Sequence, residues 1–174
     1  VQCPAWTVES PPYSLGILAA VLRASGHETK CFDLNVAVFN YCKSKKTSTA
    51  GGITFESWSM DQRGNIWYEK DPIDAFVKTH HEFIESLVNE VCAFEPQIVG
   101  FSTQSTSKFF SLALAVRFKE KRAAIPVIFG GPLVFKNCYG SDILRDIDFL
   151  DAVSFSEADL TLPGFLSAFE RNGF

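Results

Sequence analysis

The chain has 174 residues, a net charge of −4 and 47% hydrophobic residues, with 17 Phe among them. That length suits one domain burying roughly 70% of its unfolded surface, which needs no disulfide or metal, and so apolar a composition argues against disorder. The acidic balance, with Lys43, Lys45 and Lys46 as the tight basic cluster, argues against a nucleic-acid partner, and no apolar run reaches the ~20 residues of a membrane span.

Val1-Gln2-Cys3-Pro4 reads as a short first strand that the chain enters abruptly, and Arg171 to Phe174 stops just after a helix. We therefore expect a piece of a larger protein. With no charged-then-apolar leader, the expected location is the cytoplasm. The loop Ala5 to Pro12 feeds a helix whose face is Leu15, Leu18, Ala19 and Leu22, closed by a cap at Gly26. Cys31-Phe32-Asp33-Leu34 reads as the second strand.

Residues 36–70 lack clear periodicity and carry Gly51-Gly52, Trp58 and Trp67. This segment reads as an insertion after strand two with short helical pieces, since so long a structureless loop is uncommon in a compact domain. Asp71 as N-cap and Pro72 at the first helical position then predict one long helix, with a stripe of Ile73, Phe76, Val77, His80, Ile84, Leu87, Val88 and Val91 ending before Pro96.

Ile98-Val99-Gly100-Phe101 is apolar on both faces, as a central parallel strand is. Ser105 or Ser107 is expected to cap the next helix, with Phe109, Leu112, Ala113 and Val116 inward and Lys119, Lys121 and Arg122 at its negative end. Pro126 to Phe129 is strand four, Ser141 to Arg145 a short helix, Ala152 to Phe155 strand five, and Leu160 to Glu170 the last helix, packing Leu162, Phe165, Leu166 and Phe169. Alternating strands and helices imply a parallel sheet with right-handed crossovers. The predicted fold is α/β and doubly wound: a flavodoxin-like, Rossmann-type sheet of five parallel strands in the order 2-1-3-4-5.

In such sheets the ligand sits outside the carboxyl ends of the strands. Those ends deliver Pro4-Ala5-Trp6, Ser102-Thr103-Gln104, Gly130-Gly131-Pro132 and Ser156-Glu157-Ala158. Small residues, hydroxyls and bare backbone suit a large ligand approached closely. Read without a ligand, Gly130-Gly131 is an ordinary tight turn and Ser102-Thr103 a helix cap. A phospho-receiver needs acids after strand one and at the end of strand three, and a Lys at strand five. Those places hold Pro4-Ala5, Ser102 and Ser156 instead. Gly16 stands alone, so the dinucleotide Gly-x-Gly-x-x-Gly is absent. A hydroxyl-rich flavin-phosphate loop is allowed by Thr7, Ser10 and Ser14 without being specified by them.

The five cysteines, Cys3, Cys31, Cys42, Cys92 and Cys138, lack metal-ligand spacing and read as reduced thiols, so no iron is expected on this chain. His27 falls on a surface turn, His80 on an apolar stripe and His81 away from it, and none is a catalytic candidate.

Pro11-Pro12-Tyr13-Ser14-Leu15-Gly16, Gly26-His27-Glu28 and Asp33-Leu34-Asn35 occur in that order, followed by Pro96 to Ser102 and Ile125 to Pro132. Together they resemble the cobalamin-binding domain that precedes many radical S-adenosylmethionine catalytic domains. The stretch Ala152 to Pro163 is similar to that family's last strand and turn. Its Ser156-Glu157-Ala158-Asp159 keeps the acids and replaces both glycines of Gly-Glu-Gly-Glu. The segment with Trp58 and Trp67 resembles a tryptophan-bearing insertion in a subgroup.

The resemblance spans residues 1–174 and implies cobalamin held by Trp6, Leu15, Gly16, Ser102, Thr103, Gly130, Gly131, Pro132, Ser156 and Glu157. The Asp-x-His-x-x-Gly signature is absent, which implies base-off cobalamin with no protein nitrogen on its lower face. It also implies a downstream partner domain holding an iron–sulfur cluster and S-adenosylmethionine, with the corrinoid relaying a methyl group. This chain alone would then bind without turnover. The alternative is a cofactor-free domain of the same fold that serves as an interaction or substrate-guiding module.

Overall fold

The computed structural model describes residues 1–45, 50–59, 62–134 and 147–173. Among them lies a small open parallel sheet of β1 (Val99–Ser102), β2 (Val127–Gly130) and β3 (Ala152–Val153), in that order. Ser102 stands opposite Gly130 in the ladder, and Phe129 opposite Val153. Beyond β1, Gln2 makes isolated parallel bridges to both Ser102 and Asp33. The predicted first and second strands are thus single bridges, and the five full strands expected are not formed among the described residues.

Among the described residues six α-helices accompany the sheet: α1 (Tyr13–Ala24), α2 (Leu34–Lys45), α3 (Lys70–Thr79), α4 (His81–Cys92), α5 (Lys108–Lys121) and α6 (Ala158–Asn172). Helix α1 ends in a Schellman motif. Gly26 takes a φ of +90°, its N–H bonds Arg23 O, and the His27 N–H bonds Leu22 O, both at 3.0 Å.

Helix α2 corrects the reading of residues 36–70 as aperiodic. The Asp33 carboxylate accepts the Val36 N–H at 3.2 Å and so caps a helix whose buried face is Leu34, Asn35, Val38 and Cys42. An asparagine and a cysteine inside that face blur its periodicity. The rest of the segment forms 3-10 turns at Ala50–Gly52, Phe55–Trp58 and Gln62–Tyr68.

The long helix expected from Asp71 is two helices broken at His80 (φ −107°, ψ 35°). Glu69, not Asp71, is the N-cap, and Pro72 sits third in the first turn, where its missing N–H has no helical partner to lose. Helix α5 is rotated from its expected setting: Phe110, Ser111, Leu114, Ala115 and Phe118 are buried, while Phe109, Leu112, Ala113 and Val116 are half-buried. Its apolar residues run all round, and Ser111 lies on the inner side, so hydropathy alone selects the wrong face. Helix α6 packs on α1 without a fully buried residue. The short helix expected at 141–145 lies outside the described residues.

One cluster joins Val99, Phe101, Val127 and Phe129 of the sheet to Phe76, Ile84, Leu114 and Phe118 of the helices. Trp67 belongs to it, 1% exposed, with its indole donating to Ser57 O at 2.7 Å. The tryptophan-bearing segment is therefore part of the domain core. Strand alternation points Ile128 to the opposite face of the sheet.

Candidate functional site

The carboxyl ends of the strands gather five of the expected site residues. Thr103 is buried, and both its N–H and its hydroxyl donate to Gly130 O at 2.7 Å. Gly131 adopts a φ of +96°, and a β-carbon there would lie 2.6 Å from Thr103 O. Its bare backbone is thus used by the protein itself, and a larger residue would break the turn and not simply block a ligand. Ser102 is half-buried beside Gly130, and Pro132 is exposed. A β-carbon on Gly130 would meet only the Ser154 β-carbon, at 3.6 Å.

The next strand end continues this rim. The Ser154 N–H donates to Phe129 O at 2.8 Å, extending the ladder by one residue. The Ser154 hydroxyl reaches Ser156 O at 3.2 Å, and Ser156 in turn donates to the Thr161 hydroxyl at 3.4 Å. Ser156 and Glu157 are exposed, and Glu157 is the N-cap of α6 without a side-chain cap bond.

The other side of the rim is the loop that leaves Gln2. Thr106 donates its hydroxyl to Ala5 O at 2.7 Å. Asn35, 1% exposed, binds the next two residues. Its Oδ1 accepts from Trp6 N at 3.0 Å, and its Nδ2 donates to Trp6 O at 3.1 Å and Thr7 O at 3.3 Å. The Trp58 indole completes the set, donating to Asn35 Oδ1 at 2.7 Å. Thr106, Asn35, Trp58 and Ser154 were not among the expected site residues. In the sequence Asn35 and Trp58 stand out only as members of the resembling segments, and the partners of Thr106, Asn35 and Trp58 lie 23 to 101 residues away, beyond any local spacing rule.

Leu15 and Gly16 stand on the first turn and a half of α1. The Leu15 side chain is buried, whereas Gly16 is exposed with no atom within 4 Å of where a β-carbon would stand.

Exposed large apolar side chains concentrate at this end of the molecule. Trp6 is 42% exposed, Tyr13 81%, Phe155 37% and Leu160 76%, and all four lie on strand-end loops or the first turns of α1 and α6. The other two among the described residues, Phe55 and Tyr68, belong to the insertion.

Two hollows lie elsewhere. One of about 440 Å³ is lined by Thr54, Glu56, Asn65 and Glu69 among others, and a crevice of about 10 Å³ lies between Val88, Val99, Phe101 and Leu114. Neither touches any of the ten expected site residues.

Nucleophiles and bases are sparse near the rim. Burial pushes the Cys3 thiol up to about 12, against a smaller opposing effect of the Ser111 hydroxyl, and burial pushes Cys42 up to about 11. Neither is a thiolate at neutral pH. His27 Nδ1 pairs with Glu170 at 3.2 Å, and His80 Nδ1 with the Tyr41 hydroxyl at 3.0 Å. Among the described residues no group of three or more His, Cys, Asp or Glu is placed to hold a metal, and no helix is long and apolar enough to cross a membrane. No family model, curated protein or solved structure matches the chain.

Proposed function

We propose that this chain is a cobalamin-binding domain of a radical S-adenosylmethionine enzyme, with the corrinoid seated on the strand ends. The observation that carries the reading is that four of the six exposed large apolar side chains among the described residues, Trp6, Tyr13, Phe155 and Leu160, lie on strand-end loops or first helical turns, the end of the fold that also presents Gly16 and Gly130. A corrin is broad and flat with apolar surface, so it is held by area and not by a few polar contacts. The doubly wound, five-stranded arrangement 2-1-3-4-5 belongs to the same proposal. Gln2 bridging Asp33 and Ser102 supports it, with Gln2 and Asp33 marking the places of strands one and two.

The residues accessible for contact are Trp6, Gly16, Ser102, Gly130, Gly131, Pro132, Ser156 and Glu157. The loop between Pro4 and Pro12 has no histidine, and His27 and His80 are engaged with Glu170 and Tyr41. These residues fit a base-off cofactor with no protein nitrogen below it. When bound, the corrinoid would supply methyl carriage to a downstream domain with an iron–sulfur cluster. What this chain contributes is seating, exclusion of water from one corrin face and a rim for the tail.

The purified domain, mixed with hydroxocobalamin and desalted, should keep a corrinoid absorption spectrum at near-equimolar level. In the cob(II) state its paramagnetic resonance should lack nitrogen triplet splitting. Loss of all corrinoid on desalting would favour a cofactor-free interaction or substrate-guiding domain, for which the same exposed apolar rim is a docking face.

A further inference from the structure

We infer that Asn35 is a positioning residue for the Trp6–Thr7 segment of the strand-end rim, and that Trp58 of the insertion sets its orientation. An indole N–H only donates, so Trp58 Nε1, 2.7 Å away, admits only the oxygen end of the Asn35 amide. That fixes the other end as well. Nδ2 must face Trp6 O and Thr7 O, where its two N–H groups find two acceptors, while Oδ1 takes the Trp6 N–H. With the amide turned over, a donor would face two donors and an acceptor two carbonyls. At 1% exposure water does not repair that mismatch.

Trp58 is itself held edge-on by Phe39 at 5.4 Å and by the buried Trp67 at 4.7 Å. The line from core to rim therefore runs Trp67, Trp58, Asn35, Trp6. Thr106 pins Ala5 from the opposite side, so residues 5–7 have one setting of the backbone from which Trp6 projects. On this account the insertion shapes the rim without touching what binds there. Only the retention arm of the test rests on the cobalamin reading.

Backbone amide hydrogen exchange in the whole chain reads the claim. In Trp58→Phe, exchange at the Trp6 amide should rise about tenfold, the scale of one lost hydrogen bond. The Thr103 amide, bonded to Gly130 O, should stay protected. If Trp58→Phe also loses Thr103 protection, the sulfur isostere of tryptophan at position 58 removes the donor and keeps the shape, and Trp6 exchange should still rise. Unchanged exchange at Trp6 in either variant with Thr103 protected overturns the inference. If Trp6 loosens while neither wild type nor variant retains hydroxocobalamin, the positioning role stands and the cobalamin reading fails. If wild type retains it and the loosened variant retains it several-fold less, both stand.

Discussion

Thr103 and Gly131 interlock. The Thr103 oxygen lies 2.6 Å and its nitrogen 2.8 Å from where a β-carbon on Gly131 would stand. Gly131→Ala should therefore destabilise by about 2–4 kcal/mol, joining the strain of a positive φ to a backbone overlap. Gly130→Ala meets only an ordinary contact with Ser154 and should change stability by less than about 1 kcal/mol. Urea unfolding of the two variants checks the difference. Equal midpoints would show that the turn relaxes freely.

Gly16 gives the converse case. It lies on the exposed side of α1 with open space beyond it, so Gly16→Ala should stabilise the chain by about 0.5–1 kcal/mol through helix propensity. If the corrin rests on that backbone, the added methyl should at the same time weaken hydroxocobalamin retention. A variant that is more stable and retains the corrinoid unchanged removes Gly16 from the contact surface.

The thiols should react in order of exposure. Cys31 is exposed, whereas Cys3 and Cys42 are buried with their pKa values pushed up to about 12 and about 11. Brief alkylation of the native protein at pH 8, followed by peptide mass mapping, should mark Cys31 and leave Cys3 and Cys42 unmodified until denaturant is added. Native labelling of Cys3 would contradict its burial in the core.

His80, at the break between α3 and α4, has its pKa held below the ordinary 6.5 by burial and, secondarily, by the Lys45 charge. The unfolded chain then takes up the proton first. Its contribution is complete above the ordinary value and is lost as pH falls through the lowered folded value. Wild-type urea midpoints should fall between pH 7 and 5, and His80→Asn should flatten part of that fall. An identical slope in the variant would show that other groups set it.

Much of the frame was legible in the sequence because it rests on local rules. The Schellman glycine at position 26 and the apolar run at 98–101 are each set by near neighbours, and the Gly130-Gly131 turn is marked by its own residue types although Thr103 locks it from a distance. Other parts departed from the expectation. The second strand is reduced to one bridge from Asp33 to Gln2, because the Asp33 carboxylate caps a helix that begins one residue later. His80 continues the apolar stripe, yet the backbone turns there to bring its ring to Tyr41. Leu15 was a candidate contact, but its side chain is buried, in keeping with its place on the apolar face of α1 beside Ala19. The Asn35 bonds to Trp6 and Trp58 span 29 and 23 residues, beyond any spacing rule.

The most direct measurement is an amide-exchange map of the chain with and without hydroxocobalamin. The strand-end account predicts added protection at Trp6, Gly16, Gly130 and Ser156, with none at Thr54, Glu56 or Glu69 around the hollow in the insertion. Protection at that hollow instead, or no change anywhere under saturating corrinoid, would contradict it.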